Sequence, residues 1–338
     1  MADRTGIEWT DATWSPTLGC TKVSPGCDNC YAMRTVHRMS FNPNEKVSSA
    51  AEGLTAYRPG VGPVWTNLVR ELPDRLDLPL RWRKPRRIFV DSQSDLFHER
   101  VSDEFIARVF AVMSAAAQHT FQVLTKRHGR MRSLLSDDSF VAAVRRARFA
   151  FPHTAVTDTP AWPLPNVWLG VSVENQKWAD IRIPALLDTP AAVRFLSCEP
   201  LLGPVGLSTW LPCPRPAGAC GDMSGGCCEC AHPANGPGAN RSPDWVIVGG
   251  ESGRGARPML AGWARLLRDQ CVAAGIPFHF KQWGESAPLD QLPPDALTSW
   301  EIRNGPGYPG LTLCRVGKKA AGRELDGLTW DEFPEVDR

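Results

Sequence analysis

The chain has 338 residues, of which 43% are hydrophobic and 22% charged, and its formal net charge is +2. That mix excludes a disordered polymer and gives enough chain for one barrel-sized α/β domain or two ordinary ones. The near-neutral balance excludes a whole-molecule field that would attract nucleic acid; with no apolar run of eighteen residues and no basic-then-apolar leader, the expectation is a cytoplasmic protein with no membrane span.

The elements begin with a weak strand in "ATWSPTLGC" (12–20), which leads into a cysteine-rich turn, "GCTKVSPGCDNCYA" (19–32). Short apolar runs rich in β-branched and aromatic residues then predict six buried strands: "RIFVDSQ" (87–93), "TFQVLTK" (120–126), "NVWLGVSVE" (166–174), "AVRFLSCEP" (192–200), "DWVIVGGES" (244–252) and "IPFHFKQWG" (276–284). Helical spacing lies between them. In 102–119, Ser102 suits an N-cap and Phe105, Val109, Val112 and Met113 share a face; 174–188 and 260–275 follow, the last ending at a glycine that suits a C-cap. Residues 133–165 carry a short helical pattern and a proline-rich connection.

Strands apolar on both faces that alternate with helices predict a parallel sheet with right-handed crossovers, closed as a partial or near-complete (β/α) barrel. A doubly wound open sheet is the other arrangement this pattern allows. The barrel is assigned to 1–284, with a Gly/Pro/Cys-rich insertion at about 203–243, and 285–338 is expected to be an extension that folds back on the body.

Eleven cysteines in a reducing compartment point to metal rather than disulfides. Cys20, Cys27 and Cys30 are spaced C-x6-C-x2-C, one ligand short of a closed structural zinc site. Three thiolates suit a 4Fe-4S cluster whose fourth iron stays open to a cofactor or substrate, and Gly19, Pro25 and Gly26 allow the turns that wrapping it requires. A half zinc site completed from elsewhere, or plain structural thiols, would also account for them. In the insertion, Cys213, Cys220, Cys227 and Cys230 suit a zinc staple for a loop without its own core, with an auxiliary iron–sulfur cluster or a metal-free loop as the other readings.

In a barrel, ligands bind at the carboxyl ends of the strands, and each predicted strand ends in polar residues: Asp91 to Asp95, Lys126 and Arg127, Glu174, Glu199, Glu251 and Ser252, and Lys281. The basic run "KRHGRMR" (126–132) follows a strand and is placed to meet a substrate phosphate, whereas "RWRKPRR" (81–87) precedes one. "GGESGRG" lacks the G-x-G-x-x-G spacing of a dinucleotide site.

Seven ordered stretches carry a resemblance over nearly the whole chain: "TWSPTLGCTKVSPGCDNCYA", "FVDSQSDLFHE", "LTKR", "LPNVWLGVSVEN", "AAVRFLSCEPLLGP", "DWVIVGGESGRGARPM" and "FHFKQWGE". They resemble the phage-associated three-Cys-motif proteins of unknown function, often encoded beside a three-Cys-motif partner protein. That family is in turn similar to the radical S-adenosylmethionine superfamily, which implies a radical SAM type barrel with a three-Cys cluster whose free iron binds S-adenosylmethionine. Its reductive cleavage would give a 5′-deoxyadenosyl radical that abstracts hydrogen from a substrate. The superfamily spacing is usually C-x3-C-x2-C with an aromatic residue before the third cysteine; here the first gap is longer, Asn29 precedes Cys30 and Tyr31 follows it.

For such a cofactor, Glu174, Glu199 and Glu251 suit ribose or ammonium, Lys126 a carboxylate, and Gly249 and Gly250 close backbone approach, with Ser94 and Lys281 completing the set. By analogy with radical enzymes that act on DNA, the substrate expected is a nucleic acid or nucleotide. The competing expectation is a zinc-bearing module that binds nucleic acid or a partner protein without catalysis.

Overall fold

The structure is a computed structural model that describes residues 5–151, 161–212, 242–292 and 312–335, and the backbone of 301–303. The insertion cysteines Cys213, Cys220, Cys227 and Cys230 lie outside the described residues. The chain divides into two compact units, Met1–Val171 with Asp188–Val193, and Ser172–Leu187 with Arg194–Arg338.

The first unit opens with β1 (Ala12–Trp14) and β2 (Thr17–Leu18), followed by α1 (Tyr31–Met39), α2 (Glu45–Ala51), a hairpin of β3 (Thr55–Arg58) and β4 (Gly62–Trp65), and β5 (Arg70–Glu71). Then come β6 (Arg87–Val90), α3 (Asp103–Ala115), β7 (Thr120–Thr125), α4 (His128–Leu135), α5 (Asp138–Arg148) and β8 (Val167–Ser172). The second unit carries α6 (Gln176–Leu187), β9 (Val193–Cys198), β10 (Trp245–Gly249), α7 (Ala261–Ala274), β11 (Phe278–Gln282), β12 (Ser286–Pro288), β13 (Glu301–Arg303), β14 (Leu313–Arg315), α8 (Lys318–Ala321), β15 (Glu324–Leu325) and β16 (Leu328–Thr329).

The main sheet has seven strands in the order β1-β6-β7-β8-β9-β10-β11. Its pairs β1·β6, β6·β7, β7·β8, β9·β10 and β10·β11 are parallel. The fold is therefore mixed α/β with a parallel sheet, compatible with a partial β/α barrel. Each predicted strand is present, and β8 and β10 are buried at every residue, as strands covered on both faces must be.

Local chemistry sets the boundaries. Ser102 caps α3 by accepting the Phe105 N–H at 3.2 Å, with Asp103 and Glu104 in the positive first turn, and Phe105, Val109, Val112 and Met113 are all buried. Helix α7 ends at Gly275, as the sequence predicts. Helices α1 and α2 close a small core of Leu18, Val36, Ala50, Ala51 and Leu54. Among the described residues no helix is long and apolar enough to cross a membrane.

Candidate metal and cofactor site

Cys20 is delivered by a turn that no other residue type would make easily. Gly19 has φ 91°, and a Cβ there would stand 2.3 Å from the Leu68 carbonyl oxygen. The turn is pinned from the next strand end, where Ser94 Oγ donates to the Gly19 carbonyl at 2.7 Å. Cys27 ends a short 3-10 turn that starts at Pro25, and Cys30 is the N-cap of α1.

All three thiols are half-buried. Burial pushes the pKa of Cys20 up to about 12, with Asp95 adding to the shift and Arg127 opposing it; the three thiols lie close enough together that ionised Cys27 and Cys30 each raise it further. Burial also raises the pKa of Cys30; the backbone N–H groups of Ala32 and Met33 in the first turn of α1 and the charge of Lys126 act the other way. Thiolates at this site would therefore meet compensating positive charge, from a helix N-terminus and from Lys126 and Arg127.

Asp95, at the loop after β6, fixes those cations. Its Oδ1 accepts from the Thr125 hydroxyl at 2.7 Å and the Phe97 N–H at 3.1 Å, and its Oδ2 accepts the Lys126 N–H at 3.0 Å. Arg127 pairs with Glu99 at 3.0 Å and donates to the Thr21 hydroxyl next to Cys20. Thr21 Oγ1 also lies 3.0 Å from His98 Nε2, and His98 Nδ1 accepts the Arg100 N–H at 3.1 Å. With Nδ1 engaged as an acceptor, the imidazole is the neutral Nε2–H tautomer; burial and the Arg127 charge lower its pKa to about 4.

Asp91 is buried at 3% exposure in left-handed backbone, φ 56°, at the end of β6. Its Oδ1 accepts the Thr17 N–H at 3.1 Å, and its Oδ2 is buried with no hydrogen-bond partner. Burial raises this carboxyl to about 8, with Asp95 adding to the shift and Thr17 and Arg75 opposing it. That shift favours the protonated acid at neutral pH.

In the second unit the strand-end carboxylates already have cations. Glu199 Oε1 accepts from Lys281 Nζ at 2.6 Å, Glu251 binds the Arg257 guanidinium and its N–H at 2.8 Å, and Glu174 is fully buried against Arg182 at 2.9 Å. A Cβ on Gly249 would meet the Glu199 side chain at 3.3 Å. One on Gly250 would collide with the Trp283 carbonyl oxygen at 1.9 Å, so the close approach this glycine permits is made by the protein's own backbone. Gln282 Nε2 closes the group by donating to the Gly250 carbonyl at 3.1 Å and Ser252 Oγ at 3.0 Å.

Residues 4–334 match the family described as "Protein of unknown function (DUF5131)". The chain belongs to this family. No curated protein and no solved structure matches it.

In this DUF5131 member the predicted site residues fall into two groups. Cys20, Cys27, Cys30, Ser94 and Lys126 come together in the first unit; Glu174, Glu199, Gly249, Gly250, Glu251 and Lys281 belong to the second. Among the described residues no three His, Cys, Asp or Glu side chains are placed to hold one metal ion. Three thiolates form a donor set for soft or borderline metals, zinc and iron–sulfur clusters alike. Sequence reading did not assign Thr21, His98 or Glu99, which link Cys20 to Arg127. The only signal was their place in the cysteine turn and in "DLFHE" (95–99).

The basic run 126–132 is largely engaged within the unit. Arg130 binds the His98 and Val101 carbonyls and Asp103, and Arg132 pairs with Asp188 at 3.2 Å.

Proposed function

We propose that this protein is a radical SAM-like iron–sulfur enzyme of the cytoplasm, with Cys20, Cys27 and Cys30 as ligands of a 4Fe-4S cluster and a nucleic acid or nucleotide as substrate. The observation that carries this reading is the gathering of three half-buried thiols at the start of α1, beside Lys126 and Arg127. The likeness of seven sequence stretches to phage-associated three-Cys-motif proteins supports it, and extends it to a three-Cys-motif partner protein.

When bound, such a cluster supplies the electron that cleaves S-adenosylmethionine. The chain's own residues do the rest. Helix α1 offers the Ala32 and Met33 N–H groups to the Cys30 sulfur, and Lys126 and Arg127 offset the charge of three thiolates. Asp95 holds the loop that carries both cations. Neutral His98 and the Thr21 hydroxyl hold the backbone beside Cys20 without adding charge. The strand-end groups of the second unit, above all Glu199 with Lys281, are assigned to the nucleoside and amino-acid parts of the cofactor. The same proposal gives the insertion a zinc ion on Cys213, Cys220, Cys227 and Cys230.

The test is anaerobic reconstitution with iron and sulfide, followed by electron paramagnetic resonance with and without S-adenosylmethionine and by assay for 5′-deoxyadenosine under a chemical reductant. A cluster signal that changes on adding S-adenosylmethionine, with 5′-deoxyadenosine formed, is the expected result. A colourless protein that retains zinc alone would replace this reading with that of a zinc-bearing binding module.

A further inference from the structure

One face of the first unit carries exposed aromatic rings beside exposed cations. Phe41, just past α1, is 75% exposed, and Tyr57 on β3 is 65% exposed. His37 joins them: its ring stacks on Tyr57 at 6.1 Å and meets the edge of Phe41 at 5.2 Å, and its Nδ1 lies 3.1 Å from the Thr55 hydroxyl. Arg38, Lys46 and Arg58 are exposed and make no ion pair among the described residues.

Between Tyr31 and Arg70 the sequence has five cations (Arg34, Arg38, Lys46, Arg58, Arg70) and two carboxylates (Glu45, Glu52), a net +3 against +2 for the whole chain. The remainder of the molecule is thus net negative by one, and the excess positive charge sits here. Arg70 is committed to the carbonyls that end α2, including Ala50 at 2.9 Å, which leaves Arg38, Lys46 and Arg58 for a ligand.

The face also starts at the thiols. Tyr31 follows Cys30 and is 53% exposed, and Tyr31, Arg34, Arg38 and Phe41 recur at three- and four-residue steps, so they share one stripe of α1 and its continuation. From Tyr31 to Arg38 the helix rises about 10 Å.

We propose that this face, α1 with the β3–β4 hairpin, binds single-stranded nucleic acid, with bases stacked on Tyr57 and Phe41 and phosphates on Arg38 and Arg58. This deepens the proposed function by naming its substrate class and rests on that reading for the chemistry, though not for the binding. Exposed rings interleaved with unpaired cations match alternating bases and phosphates. A second copy of the chain would bring like charges face to face. A duplex would offer its phosphates but keep its base faces stacked internally.

The experiment is fluorescence anisotropy with labelled oligo-dT and oligo-U of about 12 nucleotides, within the roughly 4–16 that one such surface spans. The full chain, with and without reconstitution, is compared with Tyr57→Ala, Phe41→Ala, Tyr57→Phe and Arg58→Gln, each checked for folding by circular dichroism. We expect saturable binding of at least one single strand over its duplex, about tenfold weaker in Tyr57→Ala and Phe41→Ala and restored in Tyr57→Phe. Arg58→Gln should reduce the slope of log K against log salt by about 0.7. The parent should bind alike as purified without iron and after reconstitution, which separates this surface from the cluster: a parent that binds the strand but takes up no iron would sink the proposed function and leave this inference standing. No saturable binding at low salt, binding by Tyr57→Ala and Phe41→Ala equal to the parent's, or binding that appears only after reconstitution would overturn it.

Discussion

The carboxylate of Asp95 accepts the backbone N–H of Lys126 at 3.0 Å, which ties the loop after β6 to the loop after β7 beside the three thiols. Two more donors, the Thr125 hydroxyl and the Phe97 N–H, converge on the other oxygen, and the residue is 6% exposed. Asp95→Ala leaves three donors, two of them buried, without an acceptor, and it should destabilise the protein by about 3 kcal/mol in urea unfolding. Asp95→Asn keeps one acceptor and should cost less; equal stability of Asp95→Ala and the parent would refute this role.

Gly19 permits a turn whose Cβ position is taken by the Leu68 carbonyl oxygen at 2.3 Å, at a φ of 91°. Gly19→Ala should therefore cost about 2 kcal/mol or more and lower the iron retained after reconstitution. Unchanged melting and iron content would show that the turn can be rebuilt without cost.

Asp91 makes the stability depend on pH with a definite sign. Unfolded, its carboxyl titrates near 3.9; folded, burial raises it to about 8. Between these values the unfolded chain has lost the proton that the folded chain keeps, so this group's contribution to stability falls as pH rises from about 4 to 8 and levels above that. Asp91→Asn, which stays neutral, should remove the slope and be the more stable protein at pH 8 by at least about 1 kcal/mol. Parallel stability curves for the two proteins across that range would contradict the assignment.

Asp326 gives the opposite case. Its hydrogen bonds from Arg265, then from Arg268, depress its carboxyl to about 2. That stabilisation is present above the unfolded value near 3.9 and is lost as pH falls towards 2. Asp326→Asn should lower the melting temperature at pH 6 by a few degrees, and the difference should vanish near pH 2. A pH-independent difference would assign the effect to the β15–β16 turn, where Asp326 has φ 56°.

Much of the fold was legible because its signals are local. The runs that became β6 to β11 are apolar on both faces, and Ser102 and Gly275 mark helix ends by chemistry that acts within a turn. Helices α1 and α2 and the β3–β4 hairpin were not read: "AYRPGVGPVW" (56–65) is broken by Pro and Gly, and its strands are half-buried or exposed, so no alternation shows.

At the candidate site, the cysteine spacing was visible, but which cation meets which acid was not. The pairs Glu174–Arg182, Glu199–Lys281 and Glu251–Arg257 turn strand-end carboxylates into partnered groups; Glu199 and Lys281 lie 82 residues apart. Asp91 looked like any other strand-end acid in the sequence. It is burial above all that raises its pKa, against the hydrogen bonds from Thr17.

The most direct measurement is the iron and sulfide content of the anaerobically reconstituted chain and of Cys20→Ala, Cys27→Ala and Cys30→Ala, with Cys271→Ala, a buried thiol on α7, as the control. The account predicts about four irons and four sulfides per chain in the parent and the control, and loss of both in each of the three variants. Iron retained at the parental level in Cys27→Ala, or zinc in place of iron throughout, would contradict it.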